Sequence, residues 1–325
     1  MNSIQLYPLK FVPIYKEKIW GGKKIEEILK KDVGSLANCG ESWEISGVEG
    51  DLSIVANGAA KGMTLPQIIS EFKGRVVGQK IYEKFGHTFP LLVKFIDAND
   101  DLSIQVHPSD QIARKRHDCF GKTEMWYVVQ ADTGSKLFCG FKKEVTQDQF
   151  KQYAQSNKIL EVLNEDEVDE GDVYFLPSGR VHSIGKGLLI AEIQQTSDIT
   201  YRVYDFNRTD KHGEKRELHI GEAADVIDYE IHDTYQTKYE NHLDERIPLA
   251  NCSYFTTNKL DLTRMFSWNA AQIDSFIIYM CLKGQGTING ETIRYGESIL
   301  IPAELNEILI EPDNKMELLE SYVEK

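Results

Sequence analysis

The stretch Gly171-Asp172-Val173-Tyr174-Phe175-Leu176-Pro177-Ser178-Gly179-Arg180-Val181-His182 decides the predicted fold. Its apolar run from Val173 to Leu176 has the composition of a buried strand, and Pro177-Ser178-Gly179 is a turn sequence. His182 comes three residues after Gly179. We therefore predict a mainly β fold with a histidine-containing site inside it.

Three side chains from distant segments are the predicted metal ligands: His107, Glu124 and His182. An isolated histidine is more often a core residue, but these spacings bring both histidines and the carboxylate to one end of the same domain. Mixed nitrogen and oxygen ligation suits Zn²⁺, Fe²⁺, Mn²⁺ or Co²⁺, and three ligands leave coordination positions open for catalysis. Gln105 is either a fourth ligand or a residue that orients a ligand, because its amide oxygen carries no charge.

Other polar side chains are predicted to surround this metal site. Alternation along residues 102–107 puts Ser103, Gln105 and His107 on one face, which is unusually polar for a core strand. Further members are Lys94, Lys122, Glu192, Gln194 and Arg202. Cations beside a metal are what a phosphorylated or carboxylated ligand requires. Two structural alternatives stay open: Lys94 as a snorkelling lysine at a strand edge, and Glu192 with Arg202 as an ion pair.

Composition limits the function classes. The 325 residues carry a net charge of −14, which argues against nonspecific binding to nucleic acid or to an anionic membrane. The five cysteines contain no closely spaced pair, as is typical of reduced thiols in a cytosolic protein. Neither a signal-peptide core nor an 18-residue apolar run is present. We expect a soluble, cytoplasmic protein.

The chain is predicted to form two β-barrels with short helical insertions. Residues 1–243 form the metal-binding catalytic domain, with helical patterns near 65–85 and 146–163 and a short helix near 220–226. Residues 244–325 are predicted to form the second barrel. Their stretch Gly296-Glu297-Ser298-Ile299-Leu300-Ile301-Pro302 has the same pattern of glycine, apolar run and proline as residues 171–177. Glu307 stands where the first half has its second histidine, so the C-terminal domain is expected to lack metal ligands.

These segments resemble a known enzyme family. The spacing of a glycine, five residues, Pro-x-Gly, two residues and a histidine is similar to the second motif of the cupin barrel, a jelly-roll fold. Longer stretches resemble type I mannose-6-phosphate isomerase in its compact bacterial form: Trp20-Gly21-Gly22, residues 40–46, 102–108 and 121–127, and residues 176–208 with Ala191-Glu192-Ile193-Gln194-Gln195 and Thr200-Tyr201-Arg202-Val203-Tyr204-Asp205. The resemblance is dense over residues 10–208. The chain lacks the long helical domain of the eukaryotic enzymes.

The resemblance implies a reaction, a cofactor and a site. The reaction interconverts mannose 6-phosphate and fructose 6-phosphate through a cis-enediol(ate). One Zn²⁺ per chain is held by Gln105, His107, Glu124 and His182, with other divalent transition metals as alternatives. Substrate contacts carry over to Ser103, Lys122 and Arg202, with Lys94 as a less specific addition. The implied partner is a phosphorylated hexose, and we expect a monomer or weak homodimer.

For catalysis we expect Arg202 and Lys122 to act on the developing charge and Glu192 to be the base. Glu192 is favoured because it faces the site, is not needed as a ligand, and has a pKa that burial would raise. A nearby lysine or a metal-bound water is an alternative base. Three other readings of the whole chain are a metal- and sugar-binding module without turnover, an iron dioxygenase, and a purely structural protein.

Overall fold

The computed structural model describes residues 5–209 and 212–324. Its strands in the first three-quarters of the chain are β1 (Phe11–Val12), β2 (Ile14–Gly22), β3 (Cys39–Ser46), β4 (Ile54–Val55), β5 (Leu91–Ala98), β6 (Ile104–Val106), β7 (Glu124–Ala131), β8 (Lys136–Phe141), β9 (Leu163–Glu167), β10 (Val173–Leu176), β11 (His182–Ile184), β12 (Leu188–Gln195), β13 (Tyr201–Tyr204) and β14 (Gln236–Thr237). The remaining strands are β15 (Arg246–Asn251), β16 (Thr256–Leu262), β17 (Phe266–Asn269), β18 (Ile277–Lys283), β19 (Gln285–Ile288), β20 (Glu291–Arg294), β21 (Ser298–Ile301), β22 (Glu307–Pro312) and β23 (Met316–Tyr322).

The helices are short and few. They are α1 (Lys24–Glu27), α2 (Leu65–Phe72), α3 (Gly74–Val77), α4 (Gln79–Phe85), α5 (Asp110–His117), α6 (Gln147–Gln155) and α7 (Ile220–Val226), with a 3₁₀ helix at Ile159–Glu161. The prediction of a mainly β fold is confirmed. Within the described residues, no helix is long and apolar enough to cross a membrane.

Four of the five antiparallel sheets in the described residues form successive layers, and the fifth is the short pair of β1 with β4. The first has the order β13-β6-β11-β8-β9, the second β14-β10-β7-β12-β5-β3-β2, the third β15-β16-β23-β18-β21 and the fourth β17-β22-β19-β20. Separate apolar clusters fill the spaces between neighbouring sheets, and a further cluster packs α6 and α7 on the outside of the first sheet. Each strand order has two free ends, so the predicted closed barrels are not confirmed.

Strand β5 shows how sequence alternation builds these layers. Val93 and Phe95 point into the cluster shared with the third sheet, whereas Ile96 and Ala98 point into the cluster shared with the first sheet. The strand is apolar almost throughout because both of its faces are buried. Lys94 falls on the same face as Ile96, so its side chain enters the space between the first two sheets.

The helical pattern of residues 65–85 is divided into three pieces. Periodicity predicts continuous helical spacing, but Lys73 and Gly78 have φ angles of 52° and 98°, which end one helix and start the next. At Gly78 a Cβ atom would lie 2.1 Å from the carbonyl oxygen of Asp274. Close approach of the C-terminal half of the chain therefore requires a glycine here.

Two other local predictions concern helices. The insertion near 146–163 is confirmed as α6 and the 3₁₀ helix, and Thr146 caps α6 by accepting from the Gln149 backbone N–H. The helix near 220–226 is confirmed as α7. Trp20, Gly21 and Gly22 form the end of β2, where the pairing with β3 is irregular.

An ion pair occupies the interior of the C-terminal sheet pair. The fully buried Glu320 carboxylate accepts hydrogen bonds from Arg246 at 2.6 Å, Asn258 at 2.8 Å and Tyr279 at 2.7 Å. Glu307 is exposed and accepts from Asn269 instead of facing inward. Among the described residues, neither group of three candidate metal ligands lies in 247–323.

Candidate metal centre and substrate cavity

His107, Glu124 and His182 converge between the first two sheets. All three are buried, and one potential ligand atom from each lies within 4.8 Å of the others. Antiparallel pairing of β6 with β11 brings the two histidines to one end of the first sheet, and Glu124 begins β7 in the facing sheet. The Glu124 carboxylate oxygens lie 3.2 Å from His182 Nε2 and 3.5 Å from His107 Nε2.

Backbone carbonyls fix the orientation of both imidazoles. His107 Nδ1 lies 2.8 Å from the Ile199 carbonyl oxygen, and His182 Nδ1 lies 2.8 Å from that of Arg180. Since a carbonyl only accepts, each Nδ1 carries the proton and donates it, which leaves the Nε2 lone pairs facing Glu124. Burial, reinforced by the Lys122 charge, lowers the pKa of His182 to about 3 and holds the pKa of His107 well below its usual range. Both rings are therefore neutral, the form that binds metal.

The Glu124 carboxylate completes a set of donors that favours a bound cation. Its Oε1 is buried and has no hydrogen-bond partner among the described residues, although it faces the lone pair of His182. Such lone-pair contacts are unfavourable unless a positive charge lies near them. The Lys122 ammonium donates to Glu124 Oε2 and lies 3.0 Å from His107 Nε2. Two imidazoles and a carboxylate in this arrangement fit a divalent transition metal ion.

Electrostatics around Glu124 agree with that interpretation. Burial, together with the Glu192 charge and only partly opposed by Lys122, raises the pKa of this carboxyl to about 7. A carboxylate with this environment gains from a cation that replaces its lost hydration.

Gln105 lies at the edge of this donor set. Its amide nitrogen lies 3.4 Å from His182 Nε2, and its amide oxygen lies 3.4 Å from Ser103 Oγ. Because the two ends of an amide are exchanged by a simple flip, the position suits a fourth ligand as well as a residue that orients His182. Both alternatives from the sequence stay open.

A cavity of about 460 Å³ opens beside the donor set. The predicted residues that line it are Lys94, Ser103, Gln105, Lys122, Glu192 and Arg202. Six cationic side chains line it against four carboxylates: Lys16, Lys18, Lys94, Lys122, Arg202 and Arg216 against Glu41, Asp51, Glu192 and Asp198. In a protein of net charge −14 this local cationic excess favours an anionic ligand.

Two structural alternatives for these side chains are wrong. Lys94 is buried on β5, which has a paired strand on each side, so it is not a snorkelling lysine at an edge. Its Nζ lies 2.9 Å from Glu192 Oε1, so Glu192 pairs with Lys94 and not with Arg202. Direct pairing of residues 94 and 192 across β5 and β12 accounts for this contact.

The prediction that the pKa of Glu192 is raised is also wrong. Burial alone would raise it, but the Lys94 and Lys122 charges and a 2.7 Å hydrogen bond from Trp126 Nε1 outweigh burial. The pKa of Glu192 therefore lies below its usual value, and the side chain is a carboxylate at neutral pH.

Arg202 has unused hydrogen-bonding capacity. Its Nη1 donates to the Glu217 carbonyl oxygen at 3.0 Å, whereas its buried Nε has no partner within the described part of the chain. Burial and the nearby Arg216 charge lower the pKa of Arg202. The guanidinium is thus a cation at the cavity wall that an anionic group would stabilise.

Sequence reasoning missed several lining residues. Glu41 accepts from Trp43 Nε1 at 2.8 Å and lies 3.4 Å from Lys18. Burial would raise the pKa of Glu41, but Lys94 and Lys18 reduce it to about 2. Alternation within residues 40–46 could have identified Glu41 and Trp43 as cavity residues, as it did for residues 102–107. Arg216 gave no such signal, because it lies in an irregular segment.

The chain matches two family models and several characterised proteins. The model described as phosphomannose isomerase type I, catalytic domain, matches residues 8–144, and the model described as mannose-6-phosphate isomerase, cupin domain, matches residues 247–323. The mannose-6-phosphate isomerase ManA of Bacillus subtilis is 33% identical over 94% of this chain and 96% of that protein. The enzyme of Streptococcus mutans is 35% identical over 88% of this chain and 89% of that protein. The crystal structure of a mannose 6-phosphate isomerase from Bacillus subtilis superposes with a TM-score of 0.86 at 30% identity, covering 97% of this chain and 99% of that one.

His182→Ala should remove bound metal. We expect the affinity for the metal to fall by more than about 100-fold. Loss of a residue that only orients a metal ligand already lowers metal affinity about 10–100-fold. Elemental analysis after dialysis against Zn²⁺ measures this. His87→Ala is the matched control, because that histidine is exposed and its hydrogen bond and ring contact are with Ser70 and Tyr82. Equal metal content in the His182 variant and the wild type would contradict the ligand set.

Proposed function

The chain belongs to the type I mannose-6-phosphate isomerase family, and on that premise we propose that it interconverts mannose 6-phosphate and fructose 6-phosphate. The observation that carries this is the combination of a metal-ligand set with a cavity in which cationic side chains outnumber carboxylates. An aldose–ketose isomerase acting on a sugar phosphate needs both: an electrophile near C1 and C2, and a positive anchor for the distant phosphate. Family membership also argues against the three alternatives, which were a binding module without turnover, an iron dioxygenase and a purely structural protein.

We propose His107, Glu124 and His182 as ligands of one Zn²⁺ per chain, with Gln105 as the fourth ligand. The bound ion would act as a Lewis acid toward the oxygen atoms at C1 and C2. Neutral imidazoles with a carboxylate support zinc, and the same donors suit other divalent transition metals.

We propose that Glu192 moves the proton between C1 and C2. Its carboxylate lines the cavity and is ionised at neutral pH, so it accepts a proton without prior deprotonation. The lowered pKa makes it a weaker base than burial alone would give. Lys122, whose Nζ lies 3.9 Å from Glu192 Oε1, is proposed to stabilise negative charge that develops on the substrate oxygens.

Arg202 is the proposed phosphate anchor. Its free Nε and its position on the cavity wall support this role, whereas the charge of Lys94 is already balanced by Glu192. Arginine suits phosphate because its planar fork can donate two parallel hydrogen bonds. We propose that Ser103 and Lys94 contact sugar hydroxyl groups in the same cavity.

The same proposal extends to domain organisation. Residues 1–243 would be the catalytic unit, and residues 244–325 a second jelly-roll unit without metal, which the cupin-domain match over 247–323 supports. The protein is proposed to act in the cytoplasm as a monomer or weak homodimer. The five cysteines are all free thiols, in agreement with a reducing compartment.

A coupled assay tests the proposed reaction. Purified protein should convert mannose 6-phosphate to fructose 6-phosphate, lose this activity on chelation, and regain it when Zn²⁺, Mn²⁺ or Co²⁺ is added back. Full activity in chelated, metal-free protein would refute the metal role. If one ion still binds per chain but no metal supports turnover, a metal- and sugar-binding module without catalysis would be favoured over an isomerase.

Arg202→Ala should weaken the use of phosphorylated substrate. Loss of a charge-assisted contact predicts that kcat/KM falls by about 10- to 100-fold, mainly through KM unless the contact tightens in the transition state. Steady-state kinetics with mannose 6-phosphate and with mannose provide the measurement. Arg264→Ala, at an exposed arginine outside the cavity, is the control. If wild-type protein used both sugars equally well, the anchor role would be wrong.

Glu192→Gln should lower kcat with little change in KM. The amide keeps the shape of the side chain but cannot accept the proton, and positioned proton transfer contributes about 100- to 10,000-fold. Loss of exchange between the substrate C2 proton and solvent should accompany the lower rate. A near-normal kcat would transfer the base role to another group, with Lys122 the nearest candidate.

A further inference from the structure

A second cavity lies where the N-terminal strands meet the C-terminal sheets. Its volume is about 480 Å³, and residues from β2, β3, β19, β20 and β21 line it together with the segment that follows α1. Strands β2 and β3 separate it from the candidate active site. Tyr15 and Glu44 face the second cavity, whereas their neighbours Lys16 and Trp43 face the first.

The second cavity also carries a positive excess. Four cations line it against two carboxylates: Lys10, Lys30, Lys31 and Arg294 against Glu44 and Glu297. Both carboxylates are already paired, since Lys31 lies 2.9 Å from Glu44 and Lys10 lies 2.8 Å from Glu297. Within 5–209 and 212–324, Lys30 and Arg294 have no ion-pair partner. Both side chains are exposed, so this cavity offers two solvated cations that no carboxylate of the described residues balances.

Ser298 provides an independent observation. It lines the same cavity and is only 7% exposed, and its hydroxyl has no hydrogen-bond partner among the described residues. A buried hydroxyl is unfavourable without a partner, because it has lost its hydrogen bonds to water. The side chain of Lys31, also 7% exposed, lines the same cavity. Aromatic rings of Tyr15 and Tyr295 form part of the wall.

We propose that this cavity is a second binding site, for a small phosphorylated metabolite. Phosphate oxygens would accept hydrogen bonds from Arg294, Lys30 and the Ser298 hydroxyl, and the organic part would pack against Tyr15 and Tyr295. A phosphate fits better than a single carboxylate because it offers more acceptor oxygens to several separated donors. The site is independent of the isomerase reaction, since none of these residues lines the first cavity.

Equilibrium dialysis with inorganic phosphate tests this site in Arg202→Ala protein, which lacks the proposed anchor in the first cavity. One phosphate should still bind per chain. Adding Arg294→Ala should weaken this binding by about tenfold or more, as loss of a charged donor predicts. Adding Arg264→Ala, which removes an exposed arginine from the same half of the chain, should leave it unchanged.

Ser298→Ala separates a binding role from a structural one. In the same background it should also weaken phosphate binding several-fold, while thermal unfolding occurs at or above the parent temperature because an unpartnered hydroxyl is removed. The proposal is overturned if Arg202→Ala protein binds no phosphate, or if Arg264→Ala weakens binding as much as Arg294→Ala. Single Arg294→Ala and Ser298→Ala proteins should keep wild-type isomerase rates in phosphate-free buffer. Their rates and the dialysis result therefore test the two proposals separately.

Discussion

Charge that is buried between two β-sheets is the constraint on which the rest of this structure depends. Lys94, Lys122, Glu124 and Glu192 are each less than one-tenth exposed. A buried charge without a partner would cost several kcal/mol, on the order of 3–5. The pairs Lys94 with Glu192 and Lys122 with Glu124 remove most of that penalty, and they hold only while the strands that carry them keep their register. Packing on the outer faces of both sheets, by helices on one side and by the C-terminal sheets on the other, supplies the required rigidity.

The C-terminal half supports this arrangement without a metal site of its own. In its interior the Arg246–Glu320 pair is satisfied by neighbouring donors, and Arg246 also lies 3.8 Å from the centroid of the Trp268 ring. Across the shared apolar layer, Tyr127 donates to Glu317 at 2.6 Å. Tyr127 belongs to β7, the strand that begins with Glu124. The second half thus anchors the strand that presents the carboxylate to the candidate metal centre.

Local patterns predicted the components of the site but not their pairing. Alternation along residues 102–107 was sufficient to place Gln105 and His107 on a common face, because that periodicity is a property of any extended strand. The lowered pKa of Glu192 was not predictable, since its sign depends on Lys94, a residue 98 positions earlier that only the sheet register brings opposite. Apolar periodicity likewise could not show that residues 65–85 divide at Gly78, where a distant backbone approaches. The open edges of the sheets depend on strand order, which no single segment records.

Strand β3 is a partition with a different cavity on each side. Glu41 and Trp43 belong to one cavity and Glu44 to the other, so neighbouring positions in the sequence serve separate compartments. Because side chains alternate with a period of two, one residue inserted or deleted within β3 would exchange the side chains that this strand presents to the two cavities. Substitutions along this strand can be accommodated one position at a time, whereas changes in its length cannot. Changes of length are therefore expected in the loops that flank this strand and not within the strand itself.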